Sequence, residues 1–240
     1  MTTAKKTGFS KNKTESLMGL KIEKIKHYYN NYFFEHFNLL KNQPSYRKWM
    51  KAEEKKLLKL VPKNAKVLEI GAGFGRIIDL LNNNKRKIMG IDLCNITYLK
   101  KKYYNNPNIK ILRMNAEKLK FRQNTFDICT IMSNTLGLFL IPSKVLKECY
   151  RVTKPDGRII ISLYESNSNY VIKERMKFFT KAGYKVKLDN NQLKVNNKGV
   201  SAYYFTKTEL KNIFKENRLK FIYYPLTRLG CLWVSKKMAR

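Results

Sequence analysis

Glu69-Ile70-Gly71-Ala72-Gly73-Phe74-Gly75 joins one carboxylate to three glycines at alternate positions, directly after the apolar Val67 and Leu68. Such a run predicts a buried strand that turns sharply into a helix. Glycine accepts φ > 0 and lets a ligand lie against the backbone, and the first N–H groups of a helix have no intrahelical partner. The turn is therefore built to hold something. A P-loop would end in Gly-Lys-Ser/Thr, but Arg76 and Ile77 follow the last glycine here. A dinucleotide turn reads G-x-G-x-x-G. Counted from Gly71, its third glycine falls on Arg76, which removes the close helix–strand approach that a pyrophosphate needs. Asp92, closing the next apolar run, adds a carboxylate that can accept from two hydroxyls at once.

These residues need a scaffold, and the sequence around them alternates between two periodicities. Lys66–Ile70, Lys87–Ile91, Ile109–Arg113, Thr125–Met132 and Arg158–Tyr164 read as strands, with helices over Gly75–Asn82, Ile96–Tyr104 and Ser143–Thr153. Strands separated by helices predict βαβ units and a mainly parallel sheet, with the glycine turn at its carboxyl edge. Upstream, residues 1–16 are polar, basic and non-periodic and read as a disordered tail. Residues 17–62 carry aromatic and apolar residues at helical spacing and form a helical cap of two or three helices, leaving 63–240 as the main domain. After Tyr164 an insertion over about 165–205 holds an amphipathic helix (Val171–Ala182) and a ribbon (Tyr184–Leu188 with Gln192–Val195). Thr206 and Glu209 have capping-box spacing for a further helix, and two strands near Lys220–Tyr224 and Cys231–Ser235 close the chain.

Taken in order, these segments resemble the class I S-adenosylmethionine-dependent methyltransferases from about Val67 to the C-terminus. Val67–Gly75 is similar to the family's first motif, Gly90-Ile91-Asp92 to the second, and Asn115-Ala116-Glu117 to the adenine-flanking segment, which usually has Asp where Asn115 stands. Phe126-Asp127-Ile128 resembles the fourth strand, and Arg151–Gly157 the turn before the fifth. The resemblance implies an α/β, Rossmann-like, seven-stranded mainly parallel sheet with helices on both faces, an N-terminal helical extension and a small insertion after strand five. It implies S-adenosyl-L-methionine as cofactor, held by Glu69, Gly71, Ala72, Gly73, Gly75, Asp92, Leu93, Asn115, Ala116, Glu117 and Met132. Asp92 would bond both ribose hydroxyls, Glu69 would face the methionine amino group, and Asn115 would meet the adenine amine.

The acceptor is less well encoded, because displacement at a sulfonium needs alignment more than a catalytic motif. Met132–Gly137 is not the Asn-Pro-Pro-aromatic motif of exocyclic base methylation, and no Pro-Cys pair is present. Tyr28, Tyr29, Tyr32, Phe33, Tyr46, Trp49, Tyr170, Tyr203 and Tyr204 fall in the cap and insertion, an aromatic lid suited to a small organic or cationic acceptor methylated on nitrogen or oxygen. Tyr164, at the end of the fifth strand, is the expected acceptor contact. The net charge of +33 keeps RNA or protein acceptors open, as well as a non-catalytic nucleic-acid-binding module. The lysines are spread along the whole chain, however, rather than gathered in a patch. Cys94, Cys129, Cys149 and Cys231 are scattered and distant from His27 and His36, so no metal site is expected and reduced, buried thiols are. No apolar run is long enough for a bilayer, and the basic start lacks a signal peptide's apolar centre, so a cytoplasmic protein without membrane contact is expected.

Overall fold

Near-continuous apolar strands cannot leave either face in water, and here they form the middle of the molecule. The computed structural model describes residues 9–82, 85–94, 96–165, 169–189, 192–195 and 203–238. Five parallel strands are β1 (Lys66–Ile70), β2 (Lys87–Asp92), β3 (Ile109–Arg113), β4 (Phe126–Ile131) and β5 (Thr153–Tyr164). β9 (Gly230–Lys236) runs antiparallel to β5, and β8 (Phe221–Pro225) antiparallel to β9. The order β3-β2-β1-β4-β5-β9-β8 is the expected seven-stranded, mainly parallel sheet. It reverses direction at β1, whose neighbours are β2 on one side and β4 on the other. In such sheets the crevice at the carboxyl ends beside that reversal is where ligands bind.

Helices cover both faces. Leu68 and Ile70 share one core with Val145 and Leu146 of α6 (Pro142–Val152) and with Leu210 and Phe214 of α8 (Lys207–Glu216). Val67, pointing the other way as strand periodicity requires, joins Ile78 and Leu81 of α4 (Arg76–Leu81), Leu99 of α5 (Ile96–Lys102) and Leu57 of α3 (Pro44–Leu60). Each such fully buried aliphatic contributes roughly 1.5–3 kcal/mol. The Thr206 capping box forms: Glu209 N donates to Thr206 Oγ1 at 3.1 Å, and Thr206 N donates to the Glu209 carboxylate at 2.6 Å.

The cap consists of α1 (Phe9–Asn31), α2 (Phe33–Asn42) and α3. The expected tail divides: residues 1–8 lie outside the described residues, whereas α1 begins at Phe9, because nothing between Phe9 and Ser16 is a Pro or Gly that would stop the helix. The insertion contains α7 (Asn169–Lys181) and the ribbon of β6 (Val186–Asp189) and β7 (Gln192–Val195); the turns expected at 190–191 and 196–199 lie outside the described residues. A third, smaller cluster joins cap to sheet through Tyr46 and Trp49 of α3, Tyr164 of β5, Val171 of α7 and Leu229. β5 is longer than expected. Phe126 pairs with Thr153 but Ile128 with Arg158, and this register shift absorbs the Lys154–Gly157 turn, where Asp156 has φ 62°. Among the described residues no helix is long and apolar enough to cross a membrane, and all four cysteines are free and buried.

Candidate functional site

The glycine turn takes its shape from positive φ: 74° at Gly71, 54° at Gly73 and 84° at Gly75. Its first amides are spent on the neighbouring strand, Gly71 N and Ala72 N both donating to Ile91 O, at 2.9 and 3.0 Å. Asp92 completes the brace. Its Oδ2 accepts from Gly73 N and its Oδ1 from Cys94 N, both at 2.8 Å. Each carboxylate oxygen keeps a second lone pair for another donor. Burial raises the Asp92 pKa, against the opposing pull of the Cys94, Gly73 and Leu93 amides.

One cavity opens at the carboxyl ends of the strands under the cap. Of the eleven residues expected around a cofactor it is lined by Glu69, Gly71, Ala72, Gly73, Asp92, Leu93, Asn115, Ala116, Glu117 and Met132. Gly75 is not among its walls. It precedes α4, and a Cβ there would stand 2.1 Å from the Tyr103 hydroxyl, which donates to Gly75 O at 3.1 Å. Gly75 therefore serves the turn's close packing on α5.

Glu69 is buried at the end of β1 and accepts a hydrogen bond from Thr130 Oγ1. Burial holds its carboxyl well above the ordinary carboxylate range, favouring the neutral acid, while Thr130 and the more distant Arg76 pull the other way. Asn115 makes an Asx turn, its Oδ1 accepting from Glu117 N at 2.9 Å. Glu117 in turn accepts from Ile141 N at 3.0 Å, which ties the segment after β3 to the start of α6.

Arg76 directly follows the turn in sequence, and its charge is already matched. Its guanidinium donates to Glu53, to Glu54 Oε1 at 2.8 Å and to Ser133 Oγ at 2.7 Å. Glu53 also accepts from Ser162 Oγ and, at 3.3 Å, from Ser133 N. This buried network fastens α3 to α4, to the loop after β4 and to β5. Ser133 and Asn134 in that loop both have positive φ, 54° and 61°, an uncommon pair of left-handed non-glycine residues facing the cavity.

The far end of the cavity is walled by Tyr46 and Trp49 of α3, Tyr164 of β5, and Arg175 and Phe178 of α7. Tyr28 and Tyr29 of α1 line it too; Tyr32, Tyr170, Tyr203 and Tyr204 do not, and the Phe33 side chain lies outside the described residues. Arg175 is only 6% exposed. Its Nη1 donates to Tyr164 Oη at 2.9 Å and to Tyr46 Oη at 3.3 Å, and its Nε to Tyr204 Oη at 2.8 Å. The guanidinium also lies 4.5 Å from the Phe179 ring centroid and 5.1 Å from that of Tyr164. Burial pushes the Tyr164 and Tyr46 hydroxyls up, although Arg175 opposes it, so both keep their protons.

Two features of the site went unread in the sequence, the Glu53–Arg76 network and Arg175. Both carried a signal. Trp49, Glu53 and Leu57 lie at i, i+4 and i+8 on α3, as Val171, Arg175 and Phe179 do on α7. A charged residue on the apolar stripe of an amphipathic helix must be buried and matched, which marks it for attention.

Residues 68–161 match a family model described as a methyltransferase domain. The ubiquinone/menaquinone biosynthesis C-methyltransferase of Rickettsia prowazekii (strain Madrid E) is 33% identical over 104 residues, 42% of this chain and 36% of that protein. The demethylmenaquinone methyltransferase of Geobacillus sp. (strain WCH70) is 28% identical over 58% of this chain and 62% of its own. The chain thus spans less than two thirds of these curated relatives. Among solved structures, the PH0226 protein from Pyrococcus horikoshii OT3 has a TM-score of 0.68 at 21% identity, covering 85% of this chain and 98% of that one. Burkholderia thailandensis 1,6-didemethyltoxoflavin-N1-methyltransferase, solved with 1,6-didemethyltoxoflavin and S-adenosylhomocysteine, has a TM-score of 0.66 at 13% identity, covering 98% and 94%. At these identities the structural likeness shows the fold.

Proposed function

We propose that the chain, whose residues 68–161 match a methyltransferase domain, is a class I S-adenosylmethionine-dependent methyltransferase that transfers a methyl group from S-adenosylmethionine to a small organic molecule. The observation that carries the reading is the Asp92 carboxylate, clamped by the Gly73 and Cys94 amides at the lip of the glycine turn. A carboxylate so fixed presents its remaining lone pairs to a pair of hydroxyls, the signature of a ribose rather than of a phosphate. The state of Arg76 agrees. With its charge taken up by Glu53 and Glu54, and that of Lys102 beside Phe74 taken up by Asp79, neither of these cations at the turn is left for a phosphate, and S-adenosylmethionine has none.

When bound, the cofactor supplies an electrophilic methyl on a sulfonium; its transfer breaks the sulfur–methyl bond and leaves S-adenosylhomocysteine. The chain's own part is to bind, orient and exclude water. Asp92 takes the ribose hydroxyls, while Leu93, Asn115, Ala116 and Glu117 flank the adenine. Gly71, Ala72 and Gly73 would let the methionine portion approach the backbone, and Met132 would line the same part of the cavity. Glu69 receives the ammonium group, a cation whose arrival favours the carboxylate over the buried neutral acid. Tyr164 contacts the acceptor, and the cap closes over it.

The walls favour a small acceptor: the end of the cavity beside Tyr164 is lined by residues of α1, α3 and α7, an enclosure that suits a small molecule better than a polymer. The curated relatives described above are named for ubiquinone/menaquinone biosynthesis and for demethylmenaquinone, which are small molecules. The Rickettsia relative is a C-methyltransferase, so carbon joins nitrogen and oxygen as an acceptor atom. The test is transfer of a tritiated methyl to fractionated metabolites, RNA and protein. Label in the metabolite fraction is expected, and label confined to RNA or protein would overturn the acceptor class.

A further inference from the structure

Arg175 is a permanent cation in the cavity wall, and the described residues give it no anion. Among the described residues no carboxylate lies within ion-pair distance of it. Its hydrogen bonds go only to the hydroxyls of Tyr46, Tyr164 and Tyr204, and its Nη2 makes none. Hydroxyl oxygens and ring faces solvate a guanidinium but do not neutralise it, and a buried charge is costly unless paired. Burial keeps the three tyrosines protonated, the Tyr204 hydroxyl being pushed up to about 12, so none of them supplies the missing charge. The same guanidinium lies over the Tyr164 and Phe178 rings of the cavity wall and repels a second cation, which argues against a cationic acceptor.

We propose that Arg175 is the anion-binding residue of the acceptor subsite, and that the molecule methylated is a small planar organic acid whose carboxylate or ionised hydroxyl pairs with its guanidinium. The inference rests on the methyltransferase reading and adds the acceptor's charge to it. Planarity is suggested by the walls: Trp49 lies against Tyr164 with ring centroids 5.0 Å apart, and a fork of N–H donors matches a flat oxyanion. The cofactor's own methionine carboxylate offers the same chemistry, but position favours the acceptor. The residues assigned to the cofactor occupy the ends of β1, β2 and β3, together with Met132 at the end of β4. Tyr164 ends β5, two strands from β1 in the opposite direction, about 10 Å away at the usual spacing.

The experiment uses the full chain saturated with S-adenosylhomocysteine. Calorimetry compares benzoate, 4-hydroxybenzoate and 2-naphthoate, each with its neutral carboxamide. At least one acid should bind roughly tenfold or more tightly than its amide, the scale of a charge-assisted pair. Arg175→Gln should bring that ratio close to one and leave S-adenosylhomocysteine affinity unchanged, and Arg175→Lys should keep part of the preference. If no acid is preferred over its amide by the wild-type protein, the inference is overturned, and this comparison needs no variant to fold. It is equally overturned if Arg175→Gln weakens S-adenosylhomocysteine and leaves the acid preference intact, since the anion would then be the methionine carboxylate. Wild-type protein that does not bind S-adenosylhomocysteine at all overturns the methyltransferase reading itself. Protein that binds it but takes acid and amide alike overturns only the acceptor's charge.

Discussion

At the scale of single residues, the cavity is polarised by two buried ionisable groups at opposite ends. On the proposed reading Glu69 receives the cofactor's ammonium group and Arg175 the acceptor's anion. Glu69 has the more testable signature. Its folded pKa lies above its ordinary value of 4.5, so the unfolded chain gives up a proton that the folded chain keeps. Stability from this group is full below the ordinary value and is lost as pH rises towards the folded one. Glu69→Gln should therefore melt progressively higher than wild type as pH is raised from acid to neutral, and S-adenosylmethionine should narrow the difference by favouring the carboxylate. A constant difference across that range would contradict the assignment. Tyr164 tests the other end. Its oxygen accepts from Arg175 Nη1 at 2.9 Å and lies 3.4 Å from the Tyr46 hydroxyl, with which it shares a longer hydrogen bond. Tyr164→Phe should lower turnover on the true acceptor and leave cofactor affinity intact; unchanged turnover would remove Tyr164 from the acceptor site.

At the scale of elements, function depends on a turn whose geometry tolerates almost no added volume. A Cβ at Gly71 would stand 2.4 Å from Thr135 Cγ2, on a backbone with φ 74°. Gly71→Ala should cost roughly 1–3 kcal/mol from strain and overpacking together. Adding Thr135→Ser removes the struck methyl and should recover the steric part alone, which thermal denaturation of the single and double variants would resolve. This turn was legible in the sequence, as were the strands around it, because alternate glycines and apolar runs are local signals. The Thr206 capping box was readable for the same reason. What stayed hidden was non-local. Arg76 and Glu53 meet across 23 positions of sequence, and in a chain with 50 Lys and Arg residues Arg175 is one basic residue among many. Gly75 falls among the ligand-facing glycines by its likeness to the family's first motif, whereas its neighbours in the structure are Tyr103 and Leu99, which come later in the chain.

At the scale of the whole molecule, the sheet's reversal at β1 and the helical cap set a crevice inside a chain of net charge +33. Diffuse positive charge raises the encounter rate of anions and is screened by salt. Association of the preferred acid from the panel above should slow roughly tenfold from low to physiological ionic strength, while its dissociation rate changes little. A salt-independent association rate would show that the charge plays no part in acceptor capture. The central claim is more basic than the acceptor: the crevice binds S-adenosylmethionine through Asp92. Calorimetry of wild-type protein and Asp92→Ala with S-adenosylhomocysteine tests it directly. Losing charge-assisted bonds to the ribose, at roughly 1.5–3 kcal/mol each, should weaken binding at least about tenfold. Absence of binding to wild type, or equal binding to both proteins, would contradict the account.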